Sequence, residues 1–176
     1  MSEVKLSPQI IEGLEQIINL PIARLGRAGN MMWMGLGQVK EDFDIWGSVV
    51  KTSDFSLNVQ SKWRIQKDSK IIVGSGDFYY PERYDDDFDW SNYDWDTDGN
   101  LFEKISKEFI ETNARKVFVD SFSISALYEI EIIFSNGMKL EIFQDGCFER
   151  ESELWRFFKR NSNVHIVSTN LGIKLE

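Results

Sequence analysis

The apolar positions change period several times along the chain, and each change predicts an element. Ser7-Pro8 reads as a helix N-cap followed by proline at the first helical position. Ile10, Ile11, Leu14, Ile17 and Ile18 then recur at helical spacing, predicting an amphipathic helix over 8–19 that Pro21 ends. A glycine-bearing apolar stretch follows, Gly26 to Gly37, holding Met31-Met32-Trp33-Met34, and then a strand-like run from Phe43 to Val50. From Phe55 to Ile65 the pattern alternates. Phe55, Leu57, Val59, Trp63 and Ile65 share one face, with Ser61 as the exception, while Ser56, Asn58, Gln60, Lys62 and Arg64 form the other. Such alternation puts one face of a strand in the core and the other in water. Ile71-Ile72-Val73 follows across a polar turn near Lys67-Asp68-Ser69.

Leu101, Phe102, Ile105 and Phe109 predict a second helix, with Asn100 or Asp98 placed to cap it. The period then returns to two over Val117 to Phe122, Leu127 to Phe134 and Met138 to Phe143. The last two runs meet at Asn136-Gly137, a dipeptide suited to a type I′ hairpin turn. Leu154, Trp155, Phe157 and Phe158 predict a short third helix, and Val164 to Val167 a last strand. Hairpin-joined strands with helices between groups of strands predict one α+β domain over 1–176, mainly antiparallel, with about three helices. No internal repeat or linker interrupts it.

Composition narrows the class. A chain of 176 residues, 42% hydrophobic and 28% charged, is long and apolar enough for one globular domain. No apolar run approaches the ~20 residues needed to cross a bilayer. Met1-Ser2-Glu3-Val4-Lys5 lacks the basic region and apolar stretch of a secretory signal, and the single cysteine, Cys147, rules out an intrachain disulfide. A cytoplasmic location is expected.

Charge adds more than composition does, because it is unevenly placed. The net charge is −9, and the segment 77–100 alone holds nine acids (Asp77, Glu82, Asp85, Asp86, Asp87, Asp89, Asp94, Asp96, Asp98) and one base, Arg83. That segment therefore carries −8 and leaves −1 for the rest. A nucleic-acid-binding surface shows the opposite sign, and an anionic membrane repels this one, so the expected partner is a basic protein. The same segment holds eight of the 24 aromatics: Phe78, Tyr79, Tyr80, Tyr84, Phe88, Trp90, Tyr93 and Trp95. Disordered acidic tails are poor in aromatics, whereas interfaces use aromatic anchors surrounded by steering charge. Tyr84, Asp85, Asp86, Asp87, Phe88, Asp89, Trp90, Tyr93 and Trp95 are the candidate partner-binding residues. The competing reading packs these aromatics into the protein's own core and leaves the acids as a solvated face.

Asp94-Trp95-Asp96-Thr97-Asp98-Gly99 matches the first six positions of a calcium loop. Position twelve, where a bidentate glutamate belongs, is Ile105, so a calcium site at Asp94, Asp96 and Asp98 would need oxygens from elsewhere, such as Asp85, Asp86, Asp87 or Asp89. The alternative is a loop that caps the second helix. Little else points to catalysis. His165 is the only histidine and lies in an expected strand; Cys147 lies in an expected loop between strand and helix; Gly35-Leu36-Gly37 lacks the third glycine of a dinucleotide fingerprint. A carboxylate pair of the glycosidase kind cannot be picked out among so many acids. The chain is expected not to be an enzyme.

Two stretches carry a resemblance. Phe55 to Ile65 with Gly74-Ser75-Gly76-Asp77-Phe78-Tyr79-Tyr80-Pro81, and Phe134-Ser135-Asn136-Gly137 through Glu141-Ile142-Phe143 to Glu153-Leu154-Trp155-Arg156-Phe157-Phe158, resemble a family of small, uncharacterised bacterial proteins. The resemblance spans residues 20–160 and transfers no catalytic residue. Small acidic proteins of this kind are also similar to immunity proteins, which neutralise a cognate toxin by binding it. That likeness implies a toxin domain as partner. The leading expectation is therefore a non-catalytic module that covers a basic surface with segment 77–100, and the alternative a calcium- or small-ligand-binding domain centred on 94–98.

Overall fold

The alternating patterns build strands, and more of them than their periodicity predicts. The computed structural model describes residues 5–176. The short helix α1 (Pro8–Glu15) is followed by β1 (Ile22–Ala28), β2 (Met31–Phe43), β3 (Val49–Val59), β4 (Lys62–Lys67) and β5 (Lys70–Gly74). A 3-10 turn (Ser75–Tyr79) and a long irregular loop lead to α2 (Leu101–Asn113). Then come β6 (Val119–Ile124), β7 (Ile130–Phe134), β8 (Lys139–Phe143), β9 (Glu153–Lys159), β10 (His165–Thr169) and β11 (Gly172–Leu175). One sheet has six strands in the order β1-β2-β3-β9-β10-β11, the other five in the order β5-β4-β8-β7-β6. All the pairings are antiparallel.

This corrects the expected fold class. Over the described residues the protein is mainly β, with two helices rather than three. The third helix expected at Leu154–Phe158 is β9, held between β3 and β10. Leu154, Trp155 and Phe157 are all buried, because a bulge opposite Ser168-Thr169 leaves Leu154 unpaired beside Trp155 and breaks the alternation. A run of that kind imitates helical spacing. With no helix after it, Cys147 sits exposed in a strand-to-strand loop. The first helix is also shorter than its apolar pattern. Ser7 Oγ accepts the Ile10 N–H at its start, but after Glu15 the chain runs on in turns, with the Ile17 N–H donating to the Leu14 carbonyl. Ile17 remains buried, which is why the pattern outlasts the helix.

The long alternation from Phe55 to Ile65 is two strands. At Gln60-Ser61 both backbone N–H groups donate to the Leu154 carbonyl, at 3.0 and 3.2 Å, and the chain passes from the six-stranded sheet into the five-stranded one. Ser61, the exception in the pattern, is the corner. Because the alternation resumes in phase, both strands feed one cluster. Leu57, Val59, Trp63 and Ile65 are all 2% exposed or less and share it with Met32, Met34, Phe78, Phe102 and Trp155. The two sheets meet again where Asn19 and Ile22 donate to the Val119 and Val117 carbonyls at 2.8 Å.

β2 and β3 outrun their neighbours. β1 pairs with β2 as far as Leu36, and β9 pairs with β3 from Phe55, so the pairs from Val39↔Ser53 to Phe43↔Val49 form a free two-stranded ribbon. A bulge at its root re-aims the strand. Gly37 sits there at φ +89°, a conformation glycine adopts without strain, and a Cβ on it would stand 2.8 Å from the Asp54 carboxylate. That carboxylate accepts the Gln38 N–H at 2.8 Å and pairs with Lys40 at 2.6 Å.

The β7–β8 turn also differs from expectation. Phe134 and Met138 close a three-residue loop, Ser135-Asn136-Gly137, in which only Gly137 has a positive φ, +81°. That is a three-residue hairpin with glycine at the left-handed position, not a two-residue type I′ turn. Among the described residues no helix is long and apolar enough to cross a membrane. Met1 to Val4, part of the stretch searched for a leader, lie outside the described residues.

Candidate acidic–aromatic interface

The segment 77–100 divides into three parts with different roles. Its first part belongs to the core. Asp77 accepts the Gly74 N–H at 2.7 Å and opens the 3-10 turn, which carries Phe78 inward. Phe78 is 1% exposed and meets Phe102 edge-on at a centroid distance of 4.7 Å and Trp63 at 5.9 Å.

The last part is a rivet. The Leu101 N–H donates to the Tyr80 carbonyl at 2.8 Å, and Pro81 bridges Asn100, so the loop leaves and rejoins the domain at one point. Asn100 is the α2 cap: its Oδ1 accepts the Glu103 N–H at 3.1 Å, and its amide donates to the Trp95 carbonyl at 3.0 Å. Arg27 of β1 then pins the loop. Its guanidinium, with the side chain 9% exposed, reaches Asp96 at 2.6 Å and Glu103 of α2 at 2.7 Å. It also donates to the Gly29 and Asp96 carbonyls at 3.1 and 3.0 Å and lies 5.4 Å over the Trp95 ring. Desolvation pulls its pKa down, but hydrogen bonds and charge from Asp96 and Glu103 outweigh this and hold it above the ordinary value.

This arrangement decides where the calcium-loop residues sit. Asp94 Oδ1 accepts the Asp96 N–H at 2.9 Å, Asp98 Oδ2 accepts the Asp94 N–H at 2.9 Å, and Asp96 turns to Arg27. Two of the three carboxylates shape the turn and the third anchors it. Among the described residues no three His, Cys, Asp or Glu side chains are grouped to hold a metal ion.

The middle part is the exposed surface. Tyr80, Tyr84, Phe88, Trp90 and Tyr93 touch one another, with centroids of 5.0 Å for Phe88–Trp90, 5.6 Å for Tyr84–Trp90 and Phe88–Tyr93, and 6.1 Å for Tyr80–Trp90. Tyr84 is nonetheless 60% exposed and Trp90 50%, so the cluster orders the loop while leaving ring faces in water. Tyr93 is its inner edge; burial first, then the nearby charges of Asp98 and Glu103, raise its hydroxyl pKa, and it donates to the Gly99 carbonyl at 3.1 Å. Asp85, Asp86, Asp87 and Asp89 surround the rings and are exposed. Hydrogen bonds from the Ser91 hydroxyl, the Asn92 amide and the Ser91 N–H hold the Asp89 carboxyl below its ordinary range. Of the nine acids in the segment, only Asp96 is in a salt bridge among the described residues. The structure thus brings Tyr84 to Tyr93 together as one patch and sets Trp95 apart, packed on Tyr79 at 5.0 Å and on Arg27.

The other residues weighed for chemistry are scattered. His165 stacks on Phe158 at 4.5 Å with Nδ1 3.1 Å from Arg156 on β9, and Gly35-Leu36-Gly37 lies inside β2. One feature was missed by sequence reasoning, the ribbon tip. Phe43, Ile45, Trp46 and Val49 are 67%, 88%, 83% and 60% exposed around a turn that Asp44 ties by accepting the Trp46 and Ser48 N–H groups. The sign was present, since Asp44-Ile45-Trp46-Gly47-Ser48 places turn residues around apolar ones. Compared with protein-family models, curated proteins and solved structures, the chain matches none.

Proposed function

We propose that the protein is a non-catalytic binding module of the immunity-protein kind, which neutralises a toxin domain by covering a basic surface with residues 84–93. The observation that supports this reading most is the pairing of order with unmet charge. Five rings hold the loop in one shape, and the carboxylates around them have no cation of their own. A preformed patch loses less entropy on docking, and its acids speed encounter with a cationic partner. Half-exposed Tyr84 and Trp90 are the anchors, and Asp85, Asp86, Asp87 and Asp89 the steering charge. Trp95 is assigned to holding the loop rather than to contact. The reading places the protein in the cytoplasm, where its one cysteine stays reduced.

The test is capture of a partner from the source cells by the tagged chain and by an Asp85/Asp86/Asp87→Ser variant, at low and moderate salt. The reading expects one basic protein whose own toxicity is relieved by co-expression of the wild type. Its association rate should fall with salt and in the variant, with dissociation little changed. A partner bound equally fast by the variant would remove the loop from the interface.

A further inference from the structure

A pocket of about 210 Å³ opens on the six-stranded sheet, on the face away from the core. β1, β2, β3 and β9 lie side by side there, and the residues that alternate with core-facing Met32, Met34, Leu57 and Phe157 supply its walls. Trp33 and Phe158 are the apolar walls, and Arg24, Lys51 and Arg160 the cations, of which Arg160 is already paired with Asp42 at 2.9 Å. Gly35, without a side chain, lets the Ser53 hydroxyl lie against its strand; a Cβ there would stand 2.3 Å from that oxygen. The acidic loop is fastened to Arg27, which alternates with Arg24 and so projects to the other side of β1. The two surfaces are separate.

Three observations point to an anion. No aspartate or glutamate lines the pocket, in a chain where acids outnumber bases 29 to 20. Arg24, Arg27, Arg64 and Arg156 are the partly buried arginines, and the last three each pair with a carboxylate. Arg24 has no carboxylate partner among the described residues; it donates to the Lys51 carbonyl and lies 4.9 Å over the Trp33 ring. Burial alone lowers its pKa. A partly desolvated guanidinium without a counter-charge is destabilising, and its fork geometry suits carboxylate or phosphate. Finally, Ser53 Oγ is buried without a hydrogen-bond partner, and the Ser56 hydroxyl occupies Asn58 Oδ1 at 2.8 Å, leaving the Asn58 amide as a donor. Buried polar groups in native proteins are ordinarily satisfied.

We propose that this pocket binds a small organic anion: a single ring bearing one carboxylate or phosphate, its head on Arg24 and Ser53 and its ring against Trp33 and Phe158. The small volume sets the one-ring limit, since drug-sized ligands occupy roughly 300 Å³ or more.

The full-length chain is titrated with benzoate, phenyl phosphate, inorganic phosphate and benzyl alcohol, read by NMR at the Trp33 indole N–H and the Arg24 Nε–H. At least one aryl anion should shift both signals saturably, with inorganic phosphate and benzyl alcohol roughly tenfold weaker or worse, since each lacks half the match. Arg24→Gln should weaken that binding about tenfold or more, as expected for one charge-assisted contact, and the exposed control Arg150→Gln should not. Ser53→Ala, which leaves every charge in place, should weaken it several-fold and decides the matter if Arg24→Gln fails to fold. Absence of a saturable shift with both aryl anions overturns the proposal. So does equal binding of benzyl alcohol, which marks an apolar cleft, or of inorganic phosphate, which marks an adventitious ion only.

Discussion

Removing the Arg27 side chain should loosen the acidic loop before it unfolds the sheet. In Arg27→Ala the guanidinium is lost from between Asp96 and Glu103, whose side chains are 53% and 46% exposed. A charge-assisted hydrogen bond in a protected site contributes about 1.5–3 kcal/mol, and an exposed ion pair about 0–1 kcal/mol. The cation here is buried and its acceptors half in water, so each contact falls below the protected range and near the top of the exposed one, at about 0.75–1 kcal/mol. Lost packing on the Trp95 ring adds about 0.5–1 kcal/mol. The total is about 2–3 kcal/mol, which for a domain of this length lowers Tm by roughly 5–10 °C. Thermal unfolding measures it, with limited proteolysis reporting the loop directly. Cleavage within residues 82–99 should rise at temperatures where the sheet is still intact, because the loop then loses its side-chain link to β1 and keeps only its ties to itself, to Tyr79 and Tyr80 and to the start of α2. Arg27→Lys should recover only part of the loss, since one ammonium cannot span both carboxylates with the same fork. A double-mutant cycle with Asp96→Asn should give a coupling of about 1 kcal/mol. Additive single effects, or a Tm within about 1 °C of wild type, would refute the assignment of Arg27 as the loop's anchor.

Three further outcomes follow from other parts of the fold. Asp54 is held below its ordinary value of 3.8, chiefly by the Lys40 hydrogen bond and then by the Gln38 N–H. A depressed carboxylate contributes stability that is full above its unfolded pKa and is lost as pH falls through the folded one. Unfolding midpoints from pH 7 to pH 2 should therefore show a shallower acid limb for Asp54→Asn than for wild type, and parallel limbs would contradict the link. Phe78→Ala should cost about 3–5 kcal/mol in denaturant unfolding, whereas Tyr84→Ser, in the same acidic segment, should cost under about 1 kcal/mol. Equal costs would mean that the segment is not divided between core and surface. Gly37→Ala should destabilise by more than about 1 kcal/mol, because it combines a positive φ with a Cβ against Asp54; a neutral change would show that the bulge does not need glycine.

How much of this was legible in the sequence depended on whether a feature is local. The Ser7 cap, the Asn100 cap, the alternation of β3 and β4, and the amphipathic stripe of α2 are written within a few consecutive residues, and the structure contains them. What failed was the inference from apolar spacing to element type where a bulge breaks a strand's alternation. Leu154, Trp155 and Phe157 carry no mark that distinguishes a central strand from a short helix, and that misreading, with β1, β2 and β11 left unassigned, turned a mainly β protein into an α+β one. The acidic segment shows the same limit at the level of function. Its composition is uniform from Asp77 to Asn100, yet the fold sends Phe78 into the core and spends Trp95 and Asp96 on Arg27. Only the stretch between them is left facing water. Arg27 lies 69 residues from Asp96 and 76 from Glu103, and no spacing rule joins them. Charge density could therefore name the segment but not its working part. What separates anchor from interface is which carboxylates already have a cation, and that is a property of the folded chain.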